Sequence, residues 1–362
     1  MYDYSAQIDA FHGNKVVLSK KLSDNLTSHR TANEDRLIKR LPELKDGVRV
    51  SRSSFKSQGS FAMRTIIQTK FSDEEYDIDD GVVLWRSDLE DEDRNDMTSS
   101  DAKELVREAL KDSRFKRQPK THTNCVRVFY AEEDEEKHHV DFPVYRKWET
   151  SVGDDVTTHR ELAGGDGWVA SDPTRVNSWF ENEISIRNSA SEGAGTQMRQ
   201  CLRLLKRFCR SRSAWDMPNG MKLTMLTVEC FESGGRIDSA FRDLFDSLHS
   251  RLRRNLEVEN LADENTPRQK LTRTSADANM IELRDRLEEA LGKLKVLDEK
   301  DCTKKDARQA WDWVFKSDGY FDDYDGDDDD DDGSGGSSGM KRGIATATPN
   351  KAVDPKGGGR FG

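Results

Sequence analysis

Between residues 5 and 50, apolar positions recur at helical spacing, most clearly in NLTSHRTANEDRLIKRL. The stretch is rich in strong helix formers and predicts helix throughout. A polar approach, SRSSFKSQGS, leads through Gly59-Ser60 into FAMRTIIQ, which reads as the start of another helix. The next run, YDIDDGVVLW (76–85), has the apolar character of a strand but opens with three aspartates. Aspartate is depleted in strands, and clustered carboxylates repel one another unless a positive charge sits among them. DAKELVREAL (101–110) reads as a helix behind this strand, and CVRVFY (125–130) with HHVDFPVY (138–145) reads as a hairpin joined by the acidic turn AEEDEEK.

After a glycine-rich break at 163–167 the pattern becomes helical. Asp172-Pro173 combines an N-cap aspartate with a proline suited to a first helical turn, just before TRVNSWFEN. Residues 197–212, 222–231 and 276–297 also carry helical periodicity. Strands in the first half and helices in the second predict an α+β protein, a mixed sheet with flanking helices plus a C-terminal helical domain. The expected division is 1–165, then 166–321, then a disordered acidic and glycine-rich tail over 322–362.

Composition narrows the class. Charged residues make up 35% and hydrophobic residues 34% of 362, which describes a very polar but foldable chain. No apolar run approaches the ~20 residues that span a bilayer, and MYDYSAQIDA has no signal-peptide core, so the expectation is a cytoplasmic protein without a membrane partner. The cysteines Cys125, Cys201, Cys209, Cys230 and Cys302 are scattered and read as reduced thiols. Net charge is −11, and the segment from Asp322 onward contributes ten aspartates against five lysines and arginines. The mildly acidic body carries no strong nucleic-acid signal. The aspartate run places Gly339 where a calcium loop needs a bidentate glutamate, so an EF-hand is excluded.

The carboxylates hold the candidate chemistry. Side chains alternate along a strand, so Asp77 and Asp79 share one face while Ile78 points the other way. Such a pair suits Mg²⁺, which takes one or two carboxylates plus waters and substrate phosphates. Two-metal nucleotidyl transfer asks for a third carboxylate on a neighbouring strand, and Asp141, on the same face as His139, supplies it. Gly59-Ser60 offers uncrowded backbone and a hydroxyl before a helix, an anion site. Taken singly, a DxD or a Gly-Ser is a common surface feature. The ordered combination of Gly-Ser, DxD and a later strand aspartate is what points to catalysis.

QGSFAMRT, EYDIDDGVVLW, HHVDFPVY and WVASDPTRVNSWF resemble the bacterial cGAS/DncV-like nucleotidyltransferases (CD-NTases) of the polymerase-β-like superfamily, over roughly residues 50–230. The resemblance implies a polymerase-β-like core in which Asp77, Asp79 and Asp141 hold two Mg²⁺ ions, or Mn²⁺, and in which Gln58, Gly59 and Ser60 meet the triphosphate. It further implies that Asp141 helps activate the attacking ribose hydroxyl. Where the best-known family member has an aromatic residue after GSF, this chain has Ala62-Met63, so base preference does not carry over.

In QMRQCLRLLKRFCRSR, residues Arg199, Arg203, Lys206 and Arg210 share one helical face and Cys201, Leu204, Leu205 and Phe208 the other. Such a stripe is commonly a solvated face. The resemblance instead makes Lys206 a nucleotide contact, and in the following helix it makes Lys222 and Thr224 further contacts. Trp168, Trp179 and Trp215 read as packing residues, Asp172 as a cap, and His122, His138 and His139 as structural.

The resulting expectation is an enzyme joining NTPs, with ATP and GTP as candidate substrates, into a cyclic di- or trinucleotide messenger in anti-phage signalling of the CBASS type. The partners implied are an effector switched on by the messenger and an E1–E2-like transferase conjugating the chain through Gly362. The alternatives are a linear oligoadenylate-type synthase, an RNA- or protein-modifying nucleotidyltransferase, and an inactive binding module of the same fold. Retention of all three carboxylates argues against the last.

Overall fold

The computed structural model describes residues 1–68, 70–71, 75–91, 93–130 and 137–325. In chain order its elements are α1 (Ser5–Phe11), α2 (Lys20–Leu44), β1 (Phe55–Gln58), α3 (Gly59–Ala62), β2 (Tyr76–Trp85), α4 (Ser99–Leu110), β3 (Lys120–Thr121), β4 (Val126–Tyr130), β5 (His138–Phe142), β6 (Val144–Val152), β7 (Asp155–Ala163) and β8 (Trp168–Ala170). There follow α5 (Arg175–Ala190), α6 (Ala194–Cys209), α7 (Gly220–Cys230), α8 (Ile237–Arg254), α9 (Ala278–Leu294), α10 (Lys304–Phe315) and α11 (Tyr320–Asp325). No helix of the described residues is long and apolar enough to cross a membrane.

The elements fall into two units whose segments interleave in the chain. Among the described residues, one takes Lys20–Arg64 and Ser72–Glu181, the other Met1–Ser19, Thr65–Phe71 and residues 182–325. This differs from the cut near residue 165 that the sequence suggested. The N-terminal helix α1 belongs with the helical unit because its apolar face, Ile8 and Phe11, is buried there with Tyr4. Helix also does not run unbroken from 5 to 50. A π-helical turn over His12–Val16 ends in extended backbone at Val17, and α2 stops at Leu44, just past Pro42.

The sheet unit is a mixed eight-stranded sheet built on β2. β2 pairs antiparallel with β1, parallel with β5 over Tyr76–Asp79, and parallel with β6 over Val82–Trp85. Pro143, which has no N–H, separates β5 from β6, and its carbonyl accepts the Val82 N–H at 2.9 Å. β4 runs antiparallel to β5, and β3 to β4; β6, β7 and β8 form an antiparallel meander. Strand alternation then sorts the residues. Ile78, Val128 and Val140 lie fully buried on the face carrying α2 and α4, whose Leu26, Leu37, Ala102 and Val106 complete that core.

The helical unit buries Met198, Leu205, Phe208, Leu226, Phe241, Phe245, Leu287, Trp311 and Phe315. Phe11 stacks on Phe315 with ring centroids 4.8 Å apart, and the Tyr4 N–H donates to Asp238 at 3.0 Å. α9 and α10 start on the side-chain caps Asp277 and Thr303. The first residues of the expected disordered tail, 322–325, are helical in α11, whose Phe321 is buried against Tyr4 and Phe11. Gly362, the expected conjugation terminus, and the rest of the acidic tail lie outside the described residues.

Candidate active site

The strand register gathers the chemistry predicted from sequence. In parallel pairing Asp77 stands opposite His139 and Asp79 opposite Asp141; on the antiparallel edges Gln58 stands opposite Asp79 and Arg127 opposite Asp141. Residues directly opposed across a ladder share a face, so all six side chains converge on one face of the sheet. Asp80, the third aspartate of YDIDD, points the other way. It is buried toward Glu34 and Arg30 of α2, where burial and the neighbouring Glu34 carboxylate push its pKa well above the ordinary value. The three aspartates therefore divide between a chemical face and a buried carboxyl pair behind it.

Asp77 is exposed and Asp141 buried. Asp79 lies between them, and its pKa is raised to about 7, first by burial and then by the charges of Asp77 and Asp141. Arg127 grips Asp141 through both oxygens at 2.7 Å each, which fixes that carboxylate's orientation. His139 is buried; its Nδ1 meets Glu75 Oε2 at 3.1 Å, and its Nε2 approaches Asp77 Oδ1 at 3.1 Å. Burial opposes charge on the ring, but Asp77 outweighs it and the pKa is raised.

Gly59 abuts the cluster. Its φ is +66°, and a Cβ there would lie 2.3 Å from Asp79 Oδ2. Only glycine meets both demands. Gly81 performs a related service on β2, since a Cβ there would lie 2.1 Å from Gln58 Nε2 and 2.9 Å from the Tyr145 ring. In that space Tyr145 donates its hydroxyl to Gln58 Oε1 at 3.2 Å. Asn177 of α5, within the SDPTRVNSWF segment, donates to the Ser57 carbonyl at 2.8 Å and so anchors the approach to Gly59-Ser60. Asp172, read as a cap, accepts from the Thr174 N–H at 2.8 Å and from Arg160 at 3.0 Å. The expected helix after Gly59 is a single turn of four residues. Anion binding there would rest on backbone N–H groups and the Ser60 hydroxyl, with little contribution from a helix dipole.

The residues fit a divalent cation. Ligand atoms of Asp77, His139 and Asp141 lie within 4.8 Å of one another, and the Asp79 carboxyl crowds the same face. His139 and Arg127 were not singled out as site residues by sequence reasoning. The HxD spacing of His139-Val140-Asp141 carried a signal for the first; the second needs the β4–β5 register.

The other predicted residues belong to the helical unit. Lys206 is buried, and its Nζ donates to Thr65 O at 3.0 Å and to Thr65 Oγ1 at 2.9 Å. Burial, then Arg210 and Arg203, lower its pKa to about 7. The alternative of a solvated basic face does not describe this stripe: Arg199, Arg203 and Lys206 are buried, as is Arg207, while Arg210 is exposed. Lys222 is buried in an ion pair with Asp277 at 2.9 Å, and the fully buried Thr224 donates its hydroxyl to the Gly220 carbonyl at 2.8 Å. Both are committed to internal partners, because α7 buries Lys222, Thr224 and Thr227 and leaves Glu229 exposed.

Comparison with known proteins bears on this geometry. Residues 53–145 match the family described as cyclic GMP-AMP synthase DncV-like, nucleotidyltransferase domain. No curated protein matches the sequence. Among solved structures, the Vibrio cholerae DncV cyclic AMP-GMP synthase aligns with a TM-score of 0.65 at 17% identity, covering 87% of this chain and 96% of that one. The Bradyrhizobium diazoefficiens CD-NTase CdnG, in complex with GTP, aligns with a TM-score of 0.62 at 15% identity, covering 88% and 99%. The Escherichia coli DncV in its 3'-deoxy GTP bound form gives 0.60 at 18% identity, covering 87% and 94%.

Proposed function

We propose that this chain, a cGAS/DncV-like nucleotidyltransferase by its 53–145 domain and by its fold, joins nucleoside triphosphates into a cyclic di- or trinucleotide and releases pyrophosphate. The observation that carries the reading is the convergence of Asp77, Asp79 and Asp141 on one sheet face, with Gly59 against Asp79.

A divalent cation, Mg²⁺ or Mn²⁺, held by Asp77, Asp79 and Asp141 would supply Lewis-acid charge at the α-phosphate undergoing attack. The chain's own residues supply position and electrostatics. The backbone at Gly59 and the Ser60 hydroxyl bind the triphosphate, and Gln58, braced by Tyr145, borders it. Asp141, held by Arg127, presents its carboxylate to the attacking ribose hydroxyl in a fixed orientation. The sequence resemblance adds Lys206 as a nucleotide contact; within the helical unit its ammonium donates to the neutral oxygens of Thr65. ATP and GTP are the substrates this reading favours, in keeping with the nucleotides named for the solved structures of this fold.

The deciding experiment incubates the protein with all four labelled NTPs and Mg²⁺, treats the reaction with phosphatase and resolves the products, with the Asp77→Asn/Asp79→Asn variant alongside. A phosphatase-resistant product absent from the variant supports cyclic synthesis; phosphatase-trimmed linear oligomers turn the reading toward an oligoadenylate-type enzyme. Anti-phage signalling, the messenger-activated effector and an E1–E2-like transferase acting on Gly362 rest on the sequence resemblance. Deleting Gly362 in cells that hold such a transferase tests the last.

A further inference from the structure

His139 sits among the carboxylates in a way that the three-aspartate description does not absorb. Its Nδ1 lies 3.1 Å from Glu75 Oε2, within hydrogen-bond reach of that carboxylate. The other ring nitrogen, Nε2, faces the Asp77 and Asp141 carboxylates. That nitrogen is buried in a side chain only 9% exposed and makes no hydrogen bond of acceptable geometry. It nevertheless stands 3.1 Å from Asp77 Oδ1. A cation placed beside both atoms would be held by the two together. The Asp141 carboxylate completes the group, with ligand atoms of all three residues within 4.8 Å of one another. A carboxylate on one ring nitrogen, aiming the other at a cation, is the arrangement by which metal-bound histidines are generally oriented.

We propose that His139 Nε2 is a protein ligand of the divalent cation held by Asp77 and Asp141, with Glu75 as the positioning residue that aims it. The proposal rests on the nucleotidyltransferase reading and deepens it. An imidazole in an otherwise all-oxygen set moves preference from Mg²⁺, a hard ion with a strong demand for oxygen, toward Mn²⁺, which accepts nitrogen more readily. His139 thereby becomes a determinant of metal choice in this chain.

The test uses the full chain with histidines ¹⁵N-labelled, Mn²⁺ as probe, and a non-hydrolysable ATP analogue. Pulsed electron paramagnetic resonance reads nitrogen directly bound to Mn²⁺, and the label separates histidine from adenine. The expected result is ¹⁵N coupling in the unmodified protein, lost in His139→Asn. Mn²⁺ affinity falls about tenfold in that variant, and Mg²⁺ affinity falls less. Glu75→Gln keeps the coupling but weakens Mn²⁺ binding. Mn²⁺ bound in an Asp77-dependent manner without ¹⁵N coupling overturns the role of His139 and leaves the carboxylate site standing. Mn²⁺ binding indifferent to Asp77→Asn overturns both. The spectrum of the unmodified protein decides the matter even if His139→Asn fails to fold.

Discussion

The strand-borne carboxylates and the cationic face of α6 are opposite-signed versions of one situation. Asp79 is pushed up to about 7 by burial and by Asp77 and Asp141, while Lys206 is pushed down to about 7 by burial and by Arg210 and Arg203. In each, a buried group is surrounded by its own sign, which leaves the charged form short of stabilisation. They differ in what else is present. The carboxylates have partial counter-charges, Arg127 on Asp141 and the His139 ring beside Asp77, whereas the Lys206 ammonium faces neutral oxygens of Thr65. In the function proposed here, a divalent cation would complete the first cluster and a phosphate the second.

Breaking the first cluster should produce the largest effect. Asp77→Asn/Asp79→Asn is expected to lower product formation by at least about a hundredfold, read in the labelled-NTP assay, with the melting temperature held or raised because like charges are removed. Gly59→Ala comes next. Its Cβ would meet Asp79 Oδ2 at a positive φ, so we expect about 1–3 kcal/mol of destabilisation by denaturant titration and about a tenfold or larger loss of kcat/KM.

Lys222→Met separates packing from binding. Removing one partner of the buried Lys222–Asp277 pair should cost about 3 kcal/mol in stability with KM for nucleotide unchanged; a raised KM would restore Lys222 to the nucleotide contacts. Lys206→Met should cost about ten- to hundredfold in kcat/KM, the worth of a hydrogen-bonded charge.

The smallest effect sharpens the comparison most. In metal-free buffer Asp79, raised from 3.8 to about 7, contributes stability that is fully present below pH 3.8 and is lost as pH rises toward 7. Lys206, lowered from 10.5 to about 7, contributes stability that is present above pH 10.5 and is lost as pH falls toward 7. The difference in unfolding free energy between the unmodified protein and Asp79→Asn should slope downward over the acid window. The difference against Lys206→Met should slope upward over the alkaline window. Slopes of the same sign would sink the symmetry.

Much of the sheet unit was legible in the sequence because its signals are local. YDIDDGVVLW spans the same residues as β2, and alternation alone put Asp77 and Asp79 on one face. The α4, α5, α6, α7 and α9 helices fall where periodicity and caps placed them, within a few residues. What sequence could not give is register. That Arg127 lands on Asp141, or His139 on Asp77, depends on how strands slide past one another, and no spacing within either strand encodes it. The basic stripe of α6 misled for a related reason. Charge predicts exposure on average, and only tertiary packing reveals that Arg203 and Lys206 are covered.

The N-terminus has a consequence for how the protein is made. Tyr2 donates its N–H to the Leu297 carbonyl, and Tyr4 donates to Asp238, 234 residues further along the chain. Helix α1 therefore waits for Asp238 and Phe315 to be synthesised before it can complete its packing. During that interval Ile8 and Phe11 present bare hydrocarbon to whatever surrounds the nascent chain. Synthesis speed and chaperone occupancy at this helix should govern yield.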